Sequence, residues 1–129
     1  AKYIKRTCED ICSGKLDLDR LMKLNYADSM EVLLSCYGIG IKVANCICLF
    51  GLHHISAFPV DTWIKKILLR EYAPKSRCIS HIPESRLCEA LIEENFSKYP
   101  GFAGVLQQYI FFYERELSRK TLQDTSEIK

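Results

Sequence analysis

Three features of this chain have residue types and spacing suited to chemistry. The first is the turn Gly38-Ile39-Gly40, set between two helical patterns. Glycines at both positions permit positive φ and leave the backbone uncovered. Ile39 between them can turn inward and pin the flanking helices. The turn's N–H groups and the N-terminus of the next helix then face solvent together, which makes an anion site. Such a site grips phosphate without reading bases, although the same spelling also serves an ordinary interhelical turn. The second feature is Lys42, in the first turn of the helix after the glycines. A helix N-terminus disfavours the ammonium form there, and a lysine so placed is a usable nucleophile for Schiff-base chemistry. The alternative is a solvated surface charge. The third is Asp61, nineteen residues after Lys42. The helix leaves the turn and the loop brings the chain back, so Asp61 can lie near Lys42. A carboxylate beside a nucleophilic amine can stabilise a cationic transition state or move protons. Asp61 also reads as a helix N-cap, and the two roles are compatible.

The elements that must position these residues are helical nearly throughout. Ile4, Cys8, Ile11 and Cys12 make one apolar stripe, stopped by Gly14. Asp17 or Asp19 starts a short second helix. Asp28-Ser29-Met30-Glu31 reads as a capping box for a helix to about Cys36. A strongly apolar helix follows from Ile41 to about Leu52, with Val43 to Leu52 placed at the centre of the core. Asp61 opens a helix closed by Pro74, and Pro83 suits the first turn of another. Pro100-Gly101 precedes the last helix, about Phe102 to Lys120. No segment reads as a strand, because Ala57-Phe58-Pro59-Val60 is short and broken by its proline. The expectation is an all-α bundle of six to seven helices, with one domain over 1–120 and a polar, fraying tail over 121–129.

Composition bounds the class. At 129 residues the chain is one domain's worth. With 48% hydrophobic and 26% charged residues it is not intrinsically disordered. No apolar run is long enough to span a membrane, so no membrane partner is expected. A net charge of +2 permits nucleic-acid binding without predicting it, so that reading must rest on a local site. Seven cysteines are an odd number, and they fit reduced, mostly buried thiols in a cytosolic protein. Cys8 and Cys12 in particular read as buried structural residues.

The run from Gly38 through Lys42-Val43-Ala44-Asn45-Cys46-Ile47-Cys48-Leu49, followed by Phe58-Pro59-Val60-Asp61, resembles the helix-hairpin-helix DNA glycosylase superfamily. Within it, the wording is nearest to the 8-oxoguanine DNA glycosylase/lyases. The resemblance covers about Ala1 to Glu114 and corresponds to the C-terminal half of that family's usual length. It implies a missing N-terminal β-rich domain, a partner half of the same protein, and an intact monomer. It implies Lys42 as the nucleophile that attacks the sugar C1′ and displaces the damaged base. Asp61 becomes the acid that supports the sugar's positive charge. Gly38, Gly40 and Val43 become hairpin positions that hold phosphate. Cys46, four residues beyond Lys42, lines the base pocket. Gln107 and Phe111, four apart on one helix face, hydrogen-bond and stack on the flipped base. Without the resemblance, Cys46 and Phe111 read as plain core, whereas an amide such as Gln107 on an apolar helix needs partners. The carbonyls of Leu34, Cys36 and Ile39 match positions that can hold a monovalent cation.

The chain departs from the pattern at Trp63, where relatives often carry a phosphate-contacting histidine, and at Tyr37, where a proline is common. No four cysteines fall in the closely spaced run that an iron–sulfur cluster needs, so no cofactor is expected. The function implied is removal of 8-oxoguanine from duplex DNA with abasic-site lyase activity, in a prokaryotic cytoplasm. Without the rest of the protein, weaker catalysis is expected. Two alternatives stay open: a related glycosylase for another oxidised base, and a non-catalytic DNA-binding module.

Overall fold

Three helices begin where a side chain closes the first turn. Asp17 Oδ1 accepts the Arg20 N–H at 2.9 Å, Asn25 Oδ1 accepts the Asp28 N–H at 3.0 Å, and Asp61 Oδ1 accepts the Ile64 N–H at 2.8 Å. Each satisfies one of the N–H groups that a helix start leaves without an internal partner. The computed structural model describes residues 2–76 and 81–127, with side chains through 119. Cys78 lies outside the described residues. The elements are α1 (Lys2–Cys12), α2 (Leu18–Leu21), α3 (Tyr26–Ser35), α4 (Ile41–Cys46), α5 (Thr62–Ile67), α6 (Glu84–Phe96) and α7 (Ala103–Glu127). Among the described residues there is no strand, and the fold is all-α. No described helix is long and apolar enough to cross a membrane.

The chain forms two units, Ala1–Pro59 and Val60–Lys129. The first is built on Leu16, Leu21, Leu33, Cys36, Ala44, Cys48, Leu49 and Ala57, with Ile39 packed against this cluster as expected. In the second, Ile64, Ile67, Leu68, Leu91 and Phe96 are buried. Tyr72 lies tilted against Phe96 with ring centroids 5.4 Å apart. Arg70 donates to Glu71 at 2.6 Å and to Glu114, which ties the turn after α5 to α7.

Several boundaries differ from the sequence reading. The cap of α3 is Asn25 rather than Asp28, and Asn25 Nδ2 also donates to Asp28 Oδ2 at 2.8 Å. Asp28 therefore sits inside the first turn, where a negative charge faces the positive end of the helix. The helices after Ile41 and Asp61 both widen into π turns, Ile47–Gly51 and Leu68–Tyr72. Pro74 lies in a 3₁₀ turn, Ala73–Lys75, beyond the second of these. The segment from residue 121, expected as a tail, continues α7 through Glu127.

The first helix is turned over relative to its expected orientation. Ile4, Cys8, Ile11 and Cys12 are exposed, and the buried residue of α1 is Asp10. The physical reason lies in the turn at Gly14, which has φ +75°. It lets the chain fold back so that the Leu16 N–H donates to the Asp10 carbonyl at 2.8 Å. The Asp10 carboxylate then pairs with Arg6 at 3.3 Å and Lys15 at 3.6 Å. Of the expected buried cysteines, Cys36 and Cys48 are buried, Cys46 and Cys88 are half-buried, and Cys8 and Cys12 are exposed. Val43 and Phe50 also face outward, so only one side of the apolar helix is core.

Replacing Asn25 by Ala removes both arms of the α3 cap. The expected cost is about 1 kcal/mol, read as a lower urea midpoint with an unchanged slope.

Candidate functional site

The hairpin is made by Gly38, whose φ of +87° turns the chain out of α3. The Ile39 N–H donates back to the Cys36 carbonyl at 3.2 Å, and half-buried Ile39 pins the turn to the core. Gly40 is the N-cap of α4 in an extended conformation, and no side chain caps this helix start. A Cβ added at Gly40 would meet nothing within 4 Å. Gly40, Ile41 and Lys42 are all exposed, so the start of α4, whose first N–H groups have no helical partners, lies at the surface, where an anion is favoured. Lys42 is the second residue of that helix and is exposed. Val43 beside it is exposed, and Cys46 is half-buried one turn further on.

Behind this surface sits a buried polar group that the sequence reading passed over. Asn45 is 6% exposed, among the apolar residues Val43, Ala44 and Cys46 of α4. Its Oδ1 accepts from the Tyr26 hydroxyl at 2.9 Å and from the Phe58 N–H at 3.2 Å. Its Nδ2 donates to the Ile41 carbonyl at 3.0 Å. Beside it, Ser29 Oγ and His54 Nε2 hydrogen-bond at 3.2 Å, and the Tyr26 and His54 rings meet edge-on. Burial pushes the Tyr26 hydroxyl above the ordinary phenol range, and Cys48 pushes it the same way against the Asn45 hydrogen bond. Burial also pushes the Cys48 thiol up. The signal that could have found Asn45 was there: one amide inside an apolar run must have partners.

The remaining candidates belong to the second unit. Asp61 is half-buried and is the N-cap of α5. Trp63, in the first turn of α5, is about half exposed. Gln107 and Phe111 sit one turn apart on α7. Gln107 is buried, its Oε1 accepting from Gln108 Nε2, and Phe111 is half-buried. The structure thus gathers the hairpin, Lys42 and Cys46 in one unit, and Asp61, Trp63, Gln107 and Phe111 in the other.

No family model matches the sequence. A probable N-glycosylase/DNA lyase of Methanothermobacter thermautotrophicus is 33% identical over 117 residues, covering 89% of this chain and 34% of that protein. The N-glycosylase/DNA lyase OGG1 of Arabidopsis thaliana is 32% identical over 133 residues, covering 98% of this chain and 35% of that protein. A crystal structure of the Clostridium acetobutylicum 8-oxoguanine glycosylase/lyase, in complex with double-stranded DNA containing cytosine opposite 8-oxoguanine, superposes with a TM-score of 0.71. It is 33% identical and covers 91% of this chain and 37% of its own. Over most of its length the chain is thus similar to glycosylase/lyases of the helix-hairpin-helix DNA glycosylase superfamily. It spans about a third of the length of these relatives, less than the half expected from the sequence.

Against that family background, the chain's own departure at Tyr37 acquires a structural context. The Tyr3 ring of α1 packs on the Gly38 backbone and lies 5.4 Å from the Tyr37 ring. Lys2 Nζ sits 5.3 Å from the Tyr3 centroid. Both rings remain about half exposed, so the outer edge of the hairpin is aromatic. For the expected cation site, the donors are main-chain carbonyls, the oxygen type a hard cation takes. Leu34 lies in the last turn of α3, where carbonyls lack helical partners, while the Cys36 carbonyl already accepts from Ile39.

Two predictions follow from this geometry. Gly38→Ala combines a left-handed φ with a Cβ that overlaps the Tyr3 ring. It is expected to destabilise the fold by roughly 1–3 kcal/mol, and adding Tyr3→Ala should recover the overlap but not the backbone part, measured by chemical denaturation. The second concerns pH. Tyr26 and Cys48 both hold their protons more firmly folded than unfolded. The stability they carry is full below their unfolded values and falls as pH rises through about 8.5 for the thiol and about 10 for the phenol. The thermal midpoint should decline over that alkaline range, and Tyr26→Phe should remove the phenol's share.

Proposed function

We propose that this chain is the hairpin-bearing helical part of a DNA base-excision glycosylase that removes 8-oxoguanine from duplex DNA and then nicks the abasic strand. The observation that carries the reading is Lys42, exposed at the second position of a helix that starts, without a side-chain cap, at a glycine hairpin. The similarity to glycosylase/lyases over nine-tenths of the chain supports it. A reducing, cytosolic setting is part of the reading, because an odd number of cysteines suits free thiols.

In this reading the hairpin N–H groups near Gly38, Gly40 and Val43 hold a backbone phosphate, and Trp63 donates its indole N–H to another. Carbonyls of Leu34, Cys36 and Ile39 would bind a monovalent cation that stiffens the turn. The target base is flipped out of the stack. Cys46 and Phe111 supply its apolar and stacking contacts, and the Gln107 amide bonds its edge. Lys42 Nζ, as the free amine, attacks the sugar C1′. The bond from C1′ to the base nitrogen breaks, and the base leaves with that electron pair and gains a proton. The Asp61 carboxylate stabilises the positive charge that develops on the sugar. Opening of the sugar ring leaves an iminium between Lys42 and C1′. The iminium acidifies the C2′ hydrogen, whose loss expels the 3′ phosphate and cuts the strand. Water then releases the lysine. Binding is led by phosphate and weakens as salt rises.

Borohydride reduces the imine to a stable amine and so traps the protein on DNA. The chain incubated with a duplex holding an abasic site is expected to give a covalent adduct, and Lys42→Gln none. Asp61→Asn should slow trapping by about a hundredfold. An adduct with an 8-oxoguanine duplex would assign the damaged base. A folded chain that binds duplex DNA yet gives no adduct with either substrate would leave only a DNA-binding module.

A further inference from the structure

We propose that Asn45 is a positioning residue for Lys42: its side-chain oxygen clamps the second hairpin helix to α3 and to the segment that runs into Asp61. The inference rests on the reading of Lys42 as the nucleophile given above. Its basis is a buried amide with each polar atom engaged. The oxygen takes the Tyr26 hydroxyl from α3 at 2.9 Å and the Phe58 N–H at 3.2 Å, and the nitrogen gives to Ile41 at 3.0 Å. These donors come from positions 19 residues before and 13 residues after Asn45, so one atom joins three parts of the first unit.

The consequence for chemistry follows from helix geometry. The α4 helix is six residues long and passes directly into a π turn, so its own hydrogen bonds give it little rigidity. Lys42 lies three residues before Asn45, about 60° around the helix axis. Fixing Asn45 inward therefore fixes the direction in which Lys42 leaves the surface. Rotation of the helix by a fraction of a turn would carry the amine out of line with C1′, and small misplacements of a reacting group are costly. The Tyr26 hydroxyl is suited to the clamp, because a phenol is protonated and donating through the neutral range, and burial moves its ionisation further up. Two donors converge on the oxygen, whereas the nitrogen meets a carbonyl of its own helix. The acceptor is thus the essential half of the amide.

The test separates rate from binding. Single-turnover borohydride trapping on an abasic duplex would be measured for the unmodified chain, Asn45→Leu, Asn45→Asp and Tyr26→Phe, alongside Kd for the same duplex. Asn45→Leu is expected to slow trapping by about tenfold or more with Kd unchanged. Tyr26→Phe should slow it by a smaller factor. Asn45→Asp, which keeps the acceptor, should restore most of the rate. Equal trapping by unmodified and Tyr26→Phe chains, with Asn45→Leu either equal or unfolded, would overturn the positioning role and leave the lysine chemistry standing. No adduct even from the unmodified chain would instead overturn the reading of Lys42. Hydrogen exchange at the Phe58 amide then still decides the clamp. Protection lost in Asn45→Leu and kept in Asn45→Asp supports it, and equal protection in all chains rules it out.

Discussion

One side-chain oxygen in the first unit joins three separate segments. Asn45 Oδ1 receives a phenol from α3 and a main-chain N–H from the loop before Asp61, inside a helix whose other inward residues are Ala44, Cys48 and Leu49. Apolar contacts alone would leave that helix free to slide and roll, because packing of similar apolar surfaces is weakly directional. A buried amide is directional, and leaving it unpaired costs more than pairing it gains. The hairpin's second helix therefore has one preferred rotation, and the direction of Lys42 is set by what Asn45, about 60° around the axis, must bond.

The hairpin turn obeys a different constraint. Gly38 is required by a left-handed φ and by the Tyr3 ring lying on its backbone. Gly40 has an ordinary extended conformation and no neighbour that a Cβ would strike. The two glycines of one motif thus serve separate purposes. The first makes the turn and accepts the ring, and the second begins α4 as an extended N-cap without a side chain. Backbone N–H groups at such a start carry no sequence information, so any specificity has to come from a base pocket.

Much of this was legible in the chain before its folding was known. Helix starts at Asp17 or Asp19 and at Asp61 were readable because a short acidic side chain before an apolar period has few other uses, and the structure makes Asp17 the cap of the first. The all-α class, the stop at Gly14 and the inward role of Ile39 followed from periodicity and from glycine's freedom. The cap at Asn25 was misplaced by three residues, since Asn25 and Asp28 both suit a cap and only the geometry shows which accepts and which sits inside the turn. The π turns were not readable at all, because Ile47-Cys48-Leu49-Phe50 is apolar on every face and periodicity cannot report a change of helical pitch.

The sequence by itself determined the helical class, the hairpin between α3 and α4, the position of Lys42 in a first turn and the capping role of Asp61. These are local properties, set by φ preferences and by side chains that reach only a few residues along the chain. Tertiary structure decided which faces are buried. It turned the Ile4, Cys8, Ile11 and Cys12 stripe outward and Asp10 inward, set Tyr3 on Gly38, and brought Tyr26 and Phe58 to the amide of Asn45. Those outcomes depend on partners distant in sequence, and a polar group's partner is invisible until the chain has folded around it.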